Sequence, residues 1–365
     1  MSTGVAFALL FLGTALWFLL PLLPALRELF RPTDIMPLQV VGRDAGDVAL
    51  FARGFQAYVT RQLERLPTDS AEELLGKLPD GTPFVRARRL AEPLVAEATR
   101  EAGLDRVVVL TGPASFAGGE TFVREVYAMA ALAGGPGSVY RALLGEAGLT
   151  LGPDSTVLRW VHARGELLVG DGSLLAGRAS SDQAIRLGHS VAFDRLAAPR
   201  IVVGGGSAVP DLAAVPAAPL DLPLDRAHQV GDHVRIEGDL VIPAGAVVGG
   251  HLVVTGTLTI GPAARLTGNV KAHGAIEIGS GAVLEGAVVS RAQITTGLRA
   301  RVAGPLVAEA EVSVGPGTVI GDQQRPTSLA CPKVTLGAGV TVHGLITATA
   351  GGSTTELAPV DDTQH

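Results

Sequence analysis

The sequence predicts an all-β solenoid, a chain wound into short parallel strands stacked coil on coil. Three observations predict it. One apolar register repeats every eighteen residues through Leu240, Leu258, Ile276, Ile294 and Val312 without an insertion, which is the mark of a stacked repeat. Each unit also holds alternating pairs at a third of that spacing: Leu258/Ile260, Ala264/Leu266 and Val270/Ala272, then Ile276/Ile278, Ala282/Leu284 and Val288/Ser290. Alternation of this kind is a strand signal. Finally, the 365 residues include 47 glycines and 47% hydrophobic residues but only 4% aromatics, which suits small aliphatics in a narrow coil better than a thick globular core. Three strands of two inward residues each, turning at Gly, Pro or Asn, close a triangular coil, and successive coils sit about 4.8 Å apart.

Residues 5–26, VAFALLFLGTALWFLLPLLPAL, form an uncharged apolar run long enough to cross a bilayer as a helix, which takes about 20 residues. The first four residues carry no Lys or Arg and no small-x-small triplet follows, so the run reads as a retained anchor in the lipid membrane and not as a cleaved signal peptide. Arg27 and Arg31 follow it at once, and the positive-inside rule then places the rest of the chain in the cytoplasm, as a single-pass protein of the inner membrane.

Residues 33–104 read as a small membrane-proximal helical region. Across residues 44–66, Val48, Phe51, Phe55, Tyr58, Val59, Leu63 and Leu66 recur at three and four residues, giving a helix with one apolar face. Its other face mixes Asp47 and Glu64 with Arg53, Arg61 and Arg65, so it is expected to pack on the protein or a partner helix and not on lipid. Ser70 and Glu73 resemble a capping box opening a short helix that Pro79-Asp80-Gly81 ends. A further helix is predicted over residues 93–101, stopped by Gly103.

A first β-helix block is predicted over residues 105–203. It opens with RVVVL at Arg106, and its register is plain from Leu149, where LTLGPDSTVLRWVHARG aligns without a gap to LTIGPAARLTGNVKAHG from Leu258. The same step carries Leu149 to Leu167 and Ile185. Residues 204–232 break the pattern with Pro210, Pro216, Pro219 and Pro223 among alanines, and read as a linker, since proline denies a ladder its donors. The second block covers residues 233–349, interrupted by an insertion near Gln323, and residues 350–365 read as a disordered polar tail.

The net charge of −6 and pI near 5.8 give no electrostatic case for nucleic acid. One cysteine, Cys331, excludes an intrachain disulfide and a cysteine-rich metal site. No nucleophile elbow, Walker loop, paired carboxylate or ligand cluster stands out, so no catalytic, cofactor-binding or metal-binding residue is assigned and no enzyme activity is expected. The glycines at 204–206 follow a strand but lead into no Gly-Lys-Ser/Thr and no helix. His162, His251 and His273 are the candidate bases; each falls at an outward or corner position with no acid at an orienting spacing, and reads as a surface histidine. Asp171 and Asp182 read as turn residues, and Trp160 points outward from its coil, as a contact surface would.

The units GDLVIPAGAVVGG, LTIGPAARLTGNV, IEIGSGAVLEGAVVS and LTLGPDSTVLRWVHA resemble the bactofilins, the polymer-forming cytoskeletal family of bacteria. The resemblance covers about the last two thirds of the chain. It implies a right-handed β-helix that polymerises end to end without nucleotide on the cytoplasmic face of the membrane, as a scaffold for envelope or polysaccharide-synthesis proteins. The simplest members have one β-helix with short flanks, whereas this chain adds an anchor, a helical region and a second block, which favours a fixed membrane platform. Self-assembly also has a physical ground: an uncovered end coil presents unpaired strand edges, and the strands around Val334, Leu336, Val340 and Val342 precede only a polar tail. Two alternatives stand beside this reading: a left-handed hexapeptide acyltransferase, which shares the six-residue rhythm, and an exported solenoid acting as an adhesin or sugar-binding surface.

Overall fold

The computed structural model describes residues 47–63, 74–204 and 233–355, with isolated positions at 4, 5, 10, 11, 14, 212, 215, 216, 218 and 219 and the segment 227–230. The chain divides into two units, residues 1–47 and 48–365. In the first, the described positions of the expected span are helical, and Thr14 Oγ1 donates to the Leu10 carbonyl at 2.8 Å. The rest of that span, like residues 64–73 and 356–365, lies outside the described residues. Among those described, no helix is long and apolar enough to cross a membrane.

The second unit is a parallel β-solenoid of about 13 turns built from 18-residue coils. The predicted register is the observed one. Leu240 pairs with Leu258, Leu258 with Ile276, Ile276 with Ile294 and Ile294 with Val312, and all five are buried. In the earlier block Leu149 pairs with Leu167 and Leu167 with Ile185. Alternation puts every second side chain on the axis, where each small aliphatic stacks on its counterpart one rung away. One corner of most coils carries a left-handed residue at the same spacing: Gly245, Ala263, Gly281, Arg299 and Gly317 in the second block. Glycine suits that corner because a β-carbon disfavours positive φ. At Gly281 there is a second reason, since an added Cβ would lie 2.8 Å from Leu212 Cδ1.

Parallel pairing starts earlier than residue 105. Pro83–Ala87 already pairs in parallel with Val107–Leu110, and Leu74–Lys77 closes an antiparallel hairpin on its outer side. The expected helix ending at Pro79 is therefore a strand over its described part. Its predicted turn is real but serves the hairpin: Gly81 has φ +84° and Asp80 Oδ1 accepts from the Thr82 amide at 2.9 Å. Two helices flank this block. The first, α1, is Leu50–Leu63, and the second, α2, is Glu92–Ala98, with Leu94 and Ala98 packed into the core beside Val85, Leu104 and Val108. At the outer end of block 1 α2 packs into the core, while α1 lies along the side of successive rungs.

The second block is entered from the far side. Described linker positions lie on its flank: besides Leu212 against Gly281, Pro216 lies against Gly245 and Ala218–Pro219 pairs with residues 246–247. Ala227–Val230 then forms an antiparallel hairpin with His233–Ile236, so this outer end too carries a hairpin. Ile236, Leu240, Ile242 and Ala246 in the outermost coil are all buried.

The C-terminal coil is not a bare edge. Ala192–Val203, the last coil of block 1, pairs antiparallel with Thr341–Thr354, the last coil of block 2, and it does so on all three faces: Phe193 with Gly352, Leu196 with Ile346 and Ile201 with Val342. Residues 350–354, expected in a tail, are the final rung, because they find partners on both sides in Val334–Leu336 and Ala192–Phe193. Thr354 Oγ1 fastens the joint, accepting from the Val191 amide at 2.9 Å and donating to the Gly188 carbonyl at 2.8 Å. His343 Nδ1 lies 2.9 Å from the Pro199 carbonyl across the same seam. The result is two solenoids meeting head to head. On one face the ladder runs unbroken through sixteen strands, from Leu74–Lys77 to Ala227–Val230, about 70 Å at ordinary strand spacing.

Candidate functional site

Polar chemistry concentrates on block 1, beneath α1. The outward side chains of that sheet face are apolar where they are expected to be polar: Val107, Val109, Tyr127, Ala142, Leu144 and Trp160 form a buried cluster with Ala52 and Val59 of α1. The three- and four-residue spacing in α1 supplies the matching stripe. Phe55 meets Trp160 with ring centroids 5.6 Å apart, and the Arg178 guanidinium lies 4.6 Å from the centre of the Phe51 ring. Trp160 does mark a contact surface, and the contact is with this chain's own helix.

Glu146 is the polar hub at the edge of the helix. Its carboxylate accepts from Gln56 Nε2 at 2.5 Å and from the Tyr127 hydroxyl at 2.6 Å, and pairs with Arg164 Nε at 3.0 Å. Burial, and behind it the Glu146 charge, pushes the Tyr127 phenol up to about 12. Beside this hub, Gln56, Ala57, Thr60, Arg61 and Arg164 line a shallow open hollow.

His162 is not a surface histidine. It is buried, with Nδ1 2.9 Å from Ser180 Oγ and Nε2 3.8 Å from Asp182 Oδ1. Burial holds its imidazole below the ordinary value, Arg53 and Arg164 add to the effect, and Asp182 and Glu146 oppose it. The orienting acid that sequence spacing did not reveal is one coil and two residues on; Ser180 is exactly one repeat away from His162, and accepting the eighteen-residue register as a contact map finds it. A serine, a histidine and a carboxylate in one line are the components of nucleophilic catalysis, which also requires a reachable oxygen and donors facing the developing charge. Here Ser180 and His162 are both buried, so the pair joins adjacent rungs under α1. Of the other histidines, His251 Nδ1 accepts from the Asn269 amide at 2.9 Å in a corner ladder, and His273 is exposed. Asp171 caps a turn, accepting from the His189 amide at 2.7 Å.

A second polar line runs inside the corner of block 1. Glu120, 1% exposed, accepts from Ser138 Oγ at 2.8 Å and from the Gly118 amide at 3.0 Å, and Ser155 and Ser173 continue the column one coil at a time. Tyr140 stacks on Phe122 next to it, with centroids 5.2 Å apart. Burial raises the Tyr140 phenol well above its ordinary range, and its hydroxyl has no hydrogen-bond partner among the described residues. Among the described residues no group of three or more His, Cys, Asp or Glu is placed to hold a metal ion. No protein-family model matches this chain, and neither a curated protein nor a solved structure was found to be similar to it.

Proposed function

We propose that this chain is a membrane-anchored architectural scaffold of the bactofilin kind, a right-handed solenoid rod held at the cytoplasmic face and used to organise envelope or polysaccharide machinery. The observation that carries the reading is the head-to-head joint, because it extends three ladders through both blocks and makes one long stiff body from a chain with few large side chains. The anchor rests on the apolar run at residues 5–26, whose described side chains Val5, Leu10 and Phe11 are exposed. Assembly through an uncovered C-terminal coil, the route expected from the sequence, does not fit the joint, since block 1 already occupies that edge. Association between copies then uses the sides of the rod or an exchange of blocks.

Electron microscopy and sedimentation of the purified protein without nucleotide test the proposal. Rods about 70 Å long, alone or in ordered assemblies, support it. A compact particle would overturn it, and specific turnover of an acyl-CoA by the purified chain would replace it with the acyltransferase reading. Cleavage by protease added to intact cells would favour the exported solenoid instead.

A further inference from the structure

We propose that the head-to-head joint is exchangeable: block 1 of one copy seats on block 2 of a second copy in the same antiparallel register, giving a closed pair of rods. The inference stands on the joint alone, whatever machinery the rod serves. Every contact across the seam, from Phe193 against Gly352 to Thr354 on Val191 and Gly188, is made between two coils more than a hundred residues apart in sequence. Those contacts are the same whether both coils belong to one chain or to two. Cis and trans forms therefore differ mainly in the entropy of the connection, and the balance is set by protein concentration against the effective concentration of the tethered blocks.

The covalent connection is short where it matters. Described linker residues from Leu212 onward lie on block 2, so block 1 hangs from the eight steps between Gly204 and Leu212. Val203 accepts from the Gly339 amide at the joint, and Leu212 sits on Gly281, reached through Gly317 and Arg299. That is four rungs, about 19 Å, against a reach of about 27 Å for eight extended residues. A connection this short keeps the two blocks of one chain close together, so the exchanged form gains on the closed one only as protein concentration rises against that tether. Two copies that trade blocks reciprocally satisfy both seams, so the exchange closes as a pair. Each outer end carries a hairpin on one face, whereas the joint pairs strands on all three. Breaking ladders on three faces is slow, so the exchanged form is set when the protein folds and persists on dilution.

The test uses the full chain with Cys331→Ser and cysteines at a facing pair, Ala197 and Leu345, both half-buried and directly opposed. A chain carrying Ala197→Cys and Leu345→Cys together reports the joint by an intrachain disulfide. Chains carrying one substitution each, unfolded and refolded as a mixture, report exchange by an interchain disulfide. The expected result is an interchain product that grows roughly tenfold for each tenfold rise in refolding concentration below the millimolar range and survives dilution. A doubly substituted chain that closes, with mixtures that never cross-link at any concentration, overturns exchange while leaving the rod intact. If neither this pair nor Arg195→Cys with Thr347→Cys closes within one folded chain, the joint itself is absent and the inference fails with it.

Discussion

The joint makes its sharpest demand at Gly352. This residue faces Phe193 across the antiparallel seam, and a Cβ built on it would lie 2.2 Å from Phe193 Cε2, 2.5 Å from Cζ and 2.8 Å from Cδ2. Phe193 is 1% exposed, so its ring has nowhere to retreat. Gly352→Ala therefore overpacks the seam and should cost about 1–3 kcal/mol. Phe193→Leu, which withdraws the offending ring atoms but leaves a partly filled space, should cost about 1 kcal/mol. Together the two changes should cost less than their sum, because the new methyl enters the space the ring vacated. A favourable coupling of about 1 kcal/mol or more is expected, inside the range found for residues in contact.

Repeat arrays need not unfold in one step, so amide exchange at the seam is a better assay than a single global midpoint. Leu196 and Ile346 are the reporters, being buried and paired across it. For Gly352→Ala, their exchange should quicken by about 5- to 150-fold, the equivalent of 1–3 kcal/mol, while amides near Leu258 and Ile276 stay protected. The double variant should exchange at least about fivefold more slowly than the two single effects multiplied together. Strict additivity of the two changes would mean that the ring and the glycine do not meet, and the head-to-head arrangement would be wrong.

The left-handed corner column predicts a gain: Ala263→Gly and Arg299→Gly should each raise stability by up to about 1 kcal/mol, whereas Gly281→Ala should lose about as much and also press on Leu212, all read from denaturant midpoints. For His162 the folded-state pKa lies below the ordinary 6.5, so the unfolded chain takes the proton first; its stabilising contribution is complete above about 6.5 and is lost as pH falls toward the folded value. Trp160 emission should accordingly shift as α1 loosens on acidification, and His162→Gln should flatten that step; an unchanged pH profile in the variant would detach the histidine from helix docking. Cys331 is buried, its thiol pushed up to about 11 mainly by burial and its Sγ donating to the Lys333 carbonyl at 2.9 Å. Rapid modification of the native protein at pH 8 by a thiol reagent would contradict that placement.

What the sequence showed was whatever depends on period. A residue every eighteen positions that must fill the same site on the axis leaves its mark whether or not the coil's neighbours are known, which is why Leu240 to Val312 read correctly. So did α1, whose Phe55 and Val59 declare one apolar face. What stayed hidden depends on which coil lies next to which. Phe193 and Gly352 look unremarkable alone, and nothing local announces that Ala192–Val203 will turn its edge to Thr341–Thr354. Leu74–Lys77 is a strand and not the expected helix for a similar reason, since its helix-opening signals are local and the hairpin partner Pro83–Ala87 decides the outcome. The partner of His162 is legible in the repeat, since Ser180 lies one coil on, but only spacing across the coils, and not along the chain, brings the two together.

A parallel solenoid has a direction, so its two ends differ, and stacking one copy on the next in the same sense never closes. Each end also exposes three strand edges and the cross-section of the core, a liability that grows no smaller as coils are added. This chain reverses the second block instead. With the linker carrying it back to the far side, block 2 winds toward block 1, so that two ends of the same kind meet and the contact becomes nearly self-complementary. On the face that contains Leu196 and Ile346 the ladder passes straight through, while the Leu149-type strands of block 1 continue into the Arg265-type strands of block 2. That exchange of the other two faces is what a twofold axis through the joint requires. Reversal therefore buries two end coils against each other on all three faces, while each outer end carries a hairpin on one face, Leu74–Lys77 at one and Ala227–Val230 at the other.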